Sequence, residues 1–462
     1  MAKTWTRRAL LRFAGVAGGA AVLAACGATP TPQAPSGQTP SVVATASPTQ
    51  EPAPASQQAV SLTFGAWGDN VQTDILNSIV SAYEASHPNV TISKQFAPWD
   101  GYWQKLQAQI ASNTAPDMMM MSVAYIGDFV AKGVVLNLDP FAEAKLDLSR
   151  YIPVDVSTWR FEPKAKVGGK GSLYALPYDA SINSTLFYNK SLFDKAGIAY
   201  PSDSWTWEKD VLEAAKALTD TTAGQWGMIA PYTADGTWTS MVWEYGGETI
   251  DPTYSKGTLS EPSALAALKV VYDYIYKHSV SAPPNPSEMV NPFTTGKVAM
   301  FFSNCDCLIG TFKDIKGFEW DIARWPKGPK GRTVELEPDG YSLSSSTKHP
   351  EQAFDLLKFT VYDDDGVLRQ SKYGTFPARK DVGQSEEYLK SPGFPAGKKL
   401  QLMDVAEDAR SNYFGRGWME WVQKSDQALQ QAWLGKKSVE EAAKDADDAI
   451  TKVLQGLGES LF

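Results

Sequence analysis

Between Val60 and Met121 the sequence switches repeatedly between two hydrophobic periods, and that alternation restricts the fold more than any other feature. VSLTFGAWG, from Val60, has the alternating pattern of a strand and ends in glycines 65 and 68. From Val71 to Ser86 the period lengthens, and Ile75, Leu76, Ile79, Val80 and Tyr83 fall on one helical face. Asn89–Lys94 reads as a second strand and Tyr102–Ser112 as a second helix; the apolar run Ala115–Met121 reads as a buried third strand. Strand–helix–strand–helix–strand specifies a parallel sheet with helical crossovers. In open sheets of this kind ligands sit beyond the carboxyl ends of the strands. Those ends are Trp67–Asn70, Ala97–Trp99 and Ser122–Tyr125.

The chain has 462 residues, which exceeds one ordinary domain and fits two lobes. The stretch Gly168–Phe193, GGKGSLYALPYDASINSTLFYNKSLF, is the candidate passage between them. Its strand Leu173–Leu176 stops at Pro177, which has no N–H for a ladder, and a β-rich run resumes at Ser184. Polar Tyr178, Asp179, Ser181 and Asn183 fill the gap. Further along, helices are expected at Trp205–Leu218, Glu261–His278 and Pro350–Thr360, with strands at Gly296–Phe302, Phe318–Arg324 and Val334–Ser344. The tail, Trp418–Leu457, reads as two helices separated by Gly435.

Residues 1–25 have the pattern of a targeting segment. Thr6-Arg7-Arg8-Ala9-Leu10-Leu11 is close to a twin-arginine export signal, and an apolar run from Phe13 to Ala25 follows. Leu23-Ala24-Ala25-Cys26 has the form of a bacterial lipobox, with Cys26 as the acylated residue; an ordinary signal peptide with an incidental cysteine is the alternative. Residues 26–59 are rich in Pro, Thr, Ala, Ser and Gln, with Glu51 the only charge, and are expected to form a tether.

Composition narrows the function. A net charge of −9 argues against a nucleic-acid partner, because affinity for nucleic acid rests on neutralising phosphates. His87, His278 and His349 are dispersed, so neither a zinc site nor a histidine triad is expected. No phosphate-binding lysine loop occurs, so any ATP hydrolysis belongs to a partner. Asp363-Asp364-Asp365-Gly366 lacks the alternating spacing of a calcium loop. No metal or cofactor is expected. Cys305-Asp306-Cys307 is open to two readings, a tight disulfide or a pair of free thiols.

Fifteen tryptophans and nineteen tyrosines supply more rings than a core of this size needs. Stacking rings beside acids and amides are the groups a sugar requires in a cleft. Trp67-Gly68-Asp69-Asn70 is the best such cluster; the competing reading makes Asp69 or Asn70 a helix cap with Trp67 packed inside. Trp99 and Tyr102, Tyr125, Tyr178 and Asp179, and Trp238, Trp243 and Tyr245 are further candidates.

The pattern LPY-D-x(7)-FYNK-x-LF-x-K-AG, with a following W-x-W-E segment, resembles the first inter-lobe crossing of the family 1 extracellular solute-binding proteins of bacterial ABC importers. GKVAM then FFSN, SSSTKHPEQAFDLLKF, the FPAR loop and GKKSVEEAAKDADDAI extend the likeness to the end of the chain. The resemblance implies an α/β, two-lobed periplasmic-binding-protein-like fold of type II, with the ligand between discontinuous lobes. These would be residues 60–177 with 306–373, and 178–305 with 374–462. It implies a non-enzymatic monomer that captures a carbohydrate and delivers it to a membrane permease with a separate ATPase. It adds Ser303, Asn304 and Asp306 after the GKVAM strand, Asp339 and Tyr341 in a loop that usually carries two glycines, Arg379, and one of Trp418 and Trp421. A non-sugar solute, and a surface-anchored glycoside hydrolase, are the alternatives.

Overall fold

A computed structural model describes residues 58–232, 237–285, 290–303 and 305–457. The expected export signal, Cys26 and nearly all of the tether lie outside the described residues. Two sheets organise the chain. The first has the order Val90–Ala97, Val60–Trp67, Met118–Ser122, Asp339–Leu343, Leu176–Pro177. Its first three strands are parallel, and the last two each run antiparallel to their neighbour. Met118–Met121 are completely buried, which suits a central strand covered on both faces by flexible, polarisable side chains. The crossover helices Asn70–Ser86 and Trp99–Ala111 bury Leu76, Ile79, Val80 and Tyr83, and Tyr102, Trp103 and Leu106. The apolar periodicity thus became the buried face.

The second sheet has the order Trp320–Ala323, Thr185–Asn189, Val298–Ser303, Trp226–Ile229. Here one expectation needs correction. The resemblance places residues 306–373 wholly in the first lobe, yet Trp320–Ala323 pairs antiparallel with Thr185–Asn189. Its Trp320 ring packs against Phe187 and Phe312, with centroids 5.9 and 5.8 Å away, so that edge of the second sheet is where its apolar face finds cover. Val334–Leu336 pairs with Ala409–Ser411, and the chain rejoins the first sheet only at Asp339.

Between the sheets, several segments run side by side. Tyr178 N donates to Asp339 O at 2.9 Å, Ala180 N to Phe376 O at 2.7 Å, and Asp306 N to Ile182 O at 3.1 Å. Ser181, in the middle of this belt, has φ +38°, a left-handed conformation that costs a non-glycine residue energy and is held by its surroundings. The tail helices are Trp418–Trp433 and Val439–Gly456; Gly435 turns the chain between them with φ +68°, and Ser438 and Glu441 form a capping box. Among the described residues no helix is long and apolar enough to cross a membrane.

Candidate functional site

The strand Val60–Trp67 delivers its last side chain to the carboxyl end of the first sheet, and the next helix begins three residues on. Asp69 caps that helix, its Oδ1 accepting from Gln72 N at 2.8 Å. The capping reading of Asp69 is therefore what the structure shows, and it leaves Asp69 and Asn70 on the wall of a cleft of about 640 Å³. Trp67 lines the same cleft, although only 6% exposed. It sits in an aromatic nest, with Trp99 edge-on at 4.9 Å, Tyr102 at 5.5 Å and Trp103 at 5.4 Å. Trp99 opens the second helix and remains 38% exposed while lining the cleft. A solvent-facing indole braced edge-on by another ring is a ready stacking surface.

The far side is the inter-sheet belt. Tyr178, Asp179, Ser181, Asp339, Tyr373 and Thr375 line it, as do Cys305 and Cys307. Gln72 Nε2 reaches across to donate to the Tyr178 hydroxyl at 3.3 Å, which joins the first helix to the crossing. Asp179 Oδ1 accepts from Asp339 N at 2.9 Å, and the Thr375 side chain donates to the same carboxyl. Burial, together with the charge of Asp339, pushes the Asp179 carboxyl well above the usual carboxylate range. Burial likewise pushes Asp339 up to about 8, against a pull downward from Ser122. Two adjacent carboxyls in a desolvated site cannot both ionise cheaply, so the pair retains a proton near neutrality. Burial, then the charges of Asp69, Asp179 and Asp339, also raise the Tyr373 hydroxyl and keep it a donor.

This raised carboxyl has a stability consequence. Asp339 in the native state holds a proton that the unfolded chain has lost between about pH 4 and about pH 8. Its contribution is complete below the unfolded value and disappears as pH rises through 8. Asp339→Asn is therefore expected to flatten the fall in Tm between pH 5 and pH 8.5, as read by calorimetry at several pH values; an unchanged slope contradicts the burial of this carboxyl.

Of the residues expected to touch ligand, Trp67, Asp69, Asn70, Trp99, Tyr178, Asp179 and Asp339 converge on the cleft. The others are placed elsewhere. Tyr102 is buried and donates its hydroxyl to Met120 O at 2.6 Å. Tyr125 stacks on Trp103 at 4.0 Å and lines a separate depression with Asp128 and Arg416. Trp238 is core, Trp243 lies beneath the Arg410 guanidinium at 4.2 Å, and the Tyr245 hydroxyl is bonded to Glu208. Ser303 is buried and turned onto Cys305 O at 3.1 Å, and Asn304 lies outside the described residues. Asp306 is fully buried behind the belt, where Phe376 N and Gln401 Nε2 donate to it at 3.0 and 3.1 Å. Tyr341 packs between the rings of Phe64 and Tyr178. Arg379 is 2% exposed and paired with Asp364 and Asp381 at 2.9 and 2.6 Å. Trp418 and Trp421 are both buried, Trp418 against Phe414, so the one-turn spacing marks a core stripe and neither reaches this cleft.

Gln72, Tyr373, Thr375 and the two cysteines are additions as wall residues. Gln72 was detectable as the third residue after a capping Asp; Tyr373 and Thr375 flank Gly374, whose φ of +121° turns the chain there. The sulfurs of Cys305 and Cys307 are joined, which settles the open reading in favour of the disulfide. Among the described residues no cluster of three His, Cys, Asp or Glu could hold a metal ion.

Comparison with known proteins agrees with this architecture. A putative binding protein of Brucella abortus is 27% identical over 382 residues, covering 81% of this chain and 89% of that protein. An ABC substrate-binding protein of Listeria monocytogenes, solved with cycloalternan, superposes with a TM-score of 0.75 at 22% identity, over 86% of this chain and all of that one. A cyclic alpha-maltosyl-1,6-maltose binding protein from Arthrobacter globiformis gives 0.72 at 21% identity, again over 86% of this chain and all of that one. The fold is thus the two-lobed α/β fold of solute-binding proteins. The family model for bacterial extracellular solute-binding proteins matches residues 69–361, well over half of the chain, and the protein belongs to that family: it binds a solute and is not an enzyme.

Proposed function

We propose that the protein captures a carbohydrate, an oligosaccharide, between its two lobes and hands it to the permease of an ABC importer. The observation that carries this reading is the cleft's lining: the Trp67 and Trp99 rings, three carboxyls from Asp69, Asp179 and Asp339, the Asn70 amide and, among the described residues, no lysine or arginine. Rings stack on sugar C–H faces, and acids and amides take hydroxyl hydrogens. A phosphate-bearing solute would call for cations, and the described residues of this wall include none. The Listeria protein named above was solved with cycloalternan and the Arthrobacter one is a cyclic alpha-maltosyl-1,6-maltose binding protein, which supports the same ligand class. One lobe is built on each sheet, and the belt at Tyr178–Asn183, Cys305–Cys307 and Tyr373–Phe376 is the hinge. Ligand that touches both sides favours closure by its differential contacts. Export through the basic amino-terminal segment, acylation at Cys26 and a tether over residues 26–59 would hold the lobes outside the membrane.

A thermal-shift screen of the purified protein against maltotriose, mannotriose, cellotriose and monosaccharides tests the reading. A ligand of the native state adds about 2.7 kcal/mol at a hundredfold excess over Kd. A shift with one saccharide, without its breakdown, is expected; shifts confined to amines or phosphate esters would overturn the carbohydrate assignment.

A further inference from the structure

The three residues Cys305-Asp306-Cys307 face two ways. Both cysteines are half-buried and line the cleft that also holds Trp67 and Trp99. Asp306 between them is fully buried and points into the belt, where its carboxylate takes Phe376 N, Gln401 Nε2 and, at 3.7 Å, Lys398 Nζ. Its backbone N donates to Ile182 O at 3.1 Å. The ring is thus fastened from behind to both neighbouring segments of the crossing, while its two cysteines line the cavity.

A disulfide stabilises a fold chiefly by shortening the loops open to the unfolded chain, and the gain grows with the residues enclosed. A bridge with a sequence separation of 2 encloses almost nothing. Asp306's own hydrogen bonds already fix the segment. What the bridge does supply is a compact, polarisable, apolar edge in a wall that otherwise carries rings, carboxyls, amides and hydroxyls.

We propose that the Cys305–Cys307 disulfide is a ligand-contacting surface, a sulfur edge that packs against the C–H face of the captured saccharide beside the Trp67 and Trp99 rings. The proposal rests on the carbohydrate reading of the cleft. It makes the bridge a determinant of affinity rather than a staple of the fold.

The test uses the whole chain carrying Cys26→Ser, so that these are the only two cysteines. Maltotriose and mannotriose are titrated against oxidised protein, protein reduced and alkylated with iodoacetamide, and the Cys305→Ser/Cys307→Ser variant. Opening the ring or removing its sulfurs is expected to weaken the saccharide that binds by about tenfold, the loss of a buried apolar contact. The Tm of the unliganded protein should move little. In the reduced protein, saturating saccharide is expected to slow alkylation of both thiols, a readout that stands even if the double variant folds poorly. Affinity unchanged within twofold, with alkylation equally fast in the presence of bound saccharide, overturns the proposal. Binding of neither saccharide, in any form of the protein, overturns the carbohydrate reading beneath it.

Discussion

Lys398→Met is expected to destabilise the protein by about 3–5 kcal/mol, the usual cost of removing one member of a buried ion pair. Lys398 is fully buried, with its Nζ bonded to Gly374 O, 3.7 Å from Asp306 Oδ2 and 5.2 Å from the ring centres of Tyr388 and Phe394. Burial pulls its pKa down to about 8, with Asp306 pulling the other way, so near neutrality the ammonium persists mainly because Asp306 is there. Removing it strands a carboxylate that burial already pushes above the ordinary range. That carboxyl can escape only by taking a proton. The penalty should therefore be smallest near pH 5 and grow as pH rises, because the unfolded chain ionises Asp306 freely while the native state does not. Combining Lys398→Met with Asp306→Asn is expected to recover most of the loss, since no uncompensated charge remains. Urea unfolding of the two single variants and the double variant measures this directly. A loss under about 1 kcal/mol for Lys398→Met would mean that the pair is solvated and does not brace the belt.

Trp99→Ala is expected to abolish most ligand affinity, about thirtyfold or more, which corresponds to roughly 2 kcal/mol at an aromatic hot spot. The reason lies in its position rather than its type. Trp99 is 38% exposed at the cleft mouth and held edge-on against Trp67, so it can offer a face to a sugar without being needed to fill the core. Its truncation should cost little stability. Trp103, four residues on, provides the contrast: it is 4% exposed, stacked on Tyr125 at 4.0 Å, and Trp103→Ala should lose about 3–5 kcal/mol of stability through the cavity it leaves. Chemical denaturation and saccharide titration of both variants separate the two roles. Equal affinity losses in Trp99→Ala and Trp103→Ala, at equal stability costs, would show that the whole nest acts as core.

These two tryptophans also show how far the sequence could be read. The change of period from strand to helix placed Trp67, Asp69 and Trp99 at strand ends, and parallel-sheet geometry puts such ends around a cleft. Tyr178 and Asp179 were legible because a proline stopped one strand just before another began. Burial in tertiary context was not legible. Trp418 and Trp421 have the spacing of either a stacking pair or a core stripe, and only the packing of Trp418 on Phe414 and of the tail helices decides for the core. Arg379 looked free in its loop because its partners, Asp364 and Asp381, are brought to it by two short helices. The strand Trp320–Ala323 has no local mark that assigns it to one sheet over the other; the Phe187 and Phe312 rings do that from a distance in sequence. Within Cys305-Asp306-Cys307 only Cys305 is extended and a short 3-10 turn begins at Asp306, so strand alternation does not apply; the hydrogen bonds that draw Asp306 inward leave the two cysteines on the cleft.

On the proposed reading an uncharged oligosaccharide is held between Trp67 and Trp99 on one side and the Tyr178–Asp179 crossing on the other. The most direct test is a calorimetric titration of the purified protein with maltotriose, mannotriose and cellotriose, repeated with Trp99→Ala. One-to-one binding of at least one saccharide is expected, with an affinity on the order of micromolar or tighter for a specific cleft, and most of that affinity should be lost in the variant. Saccharide binding that is indifferent to Trp99→Ala, or heat only from a phosphorylated or cationic solute, would contradict it.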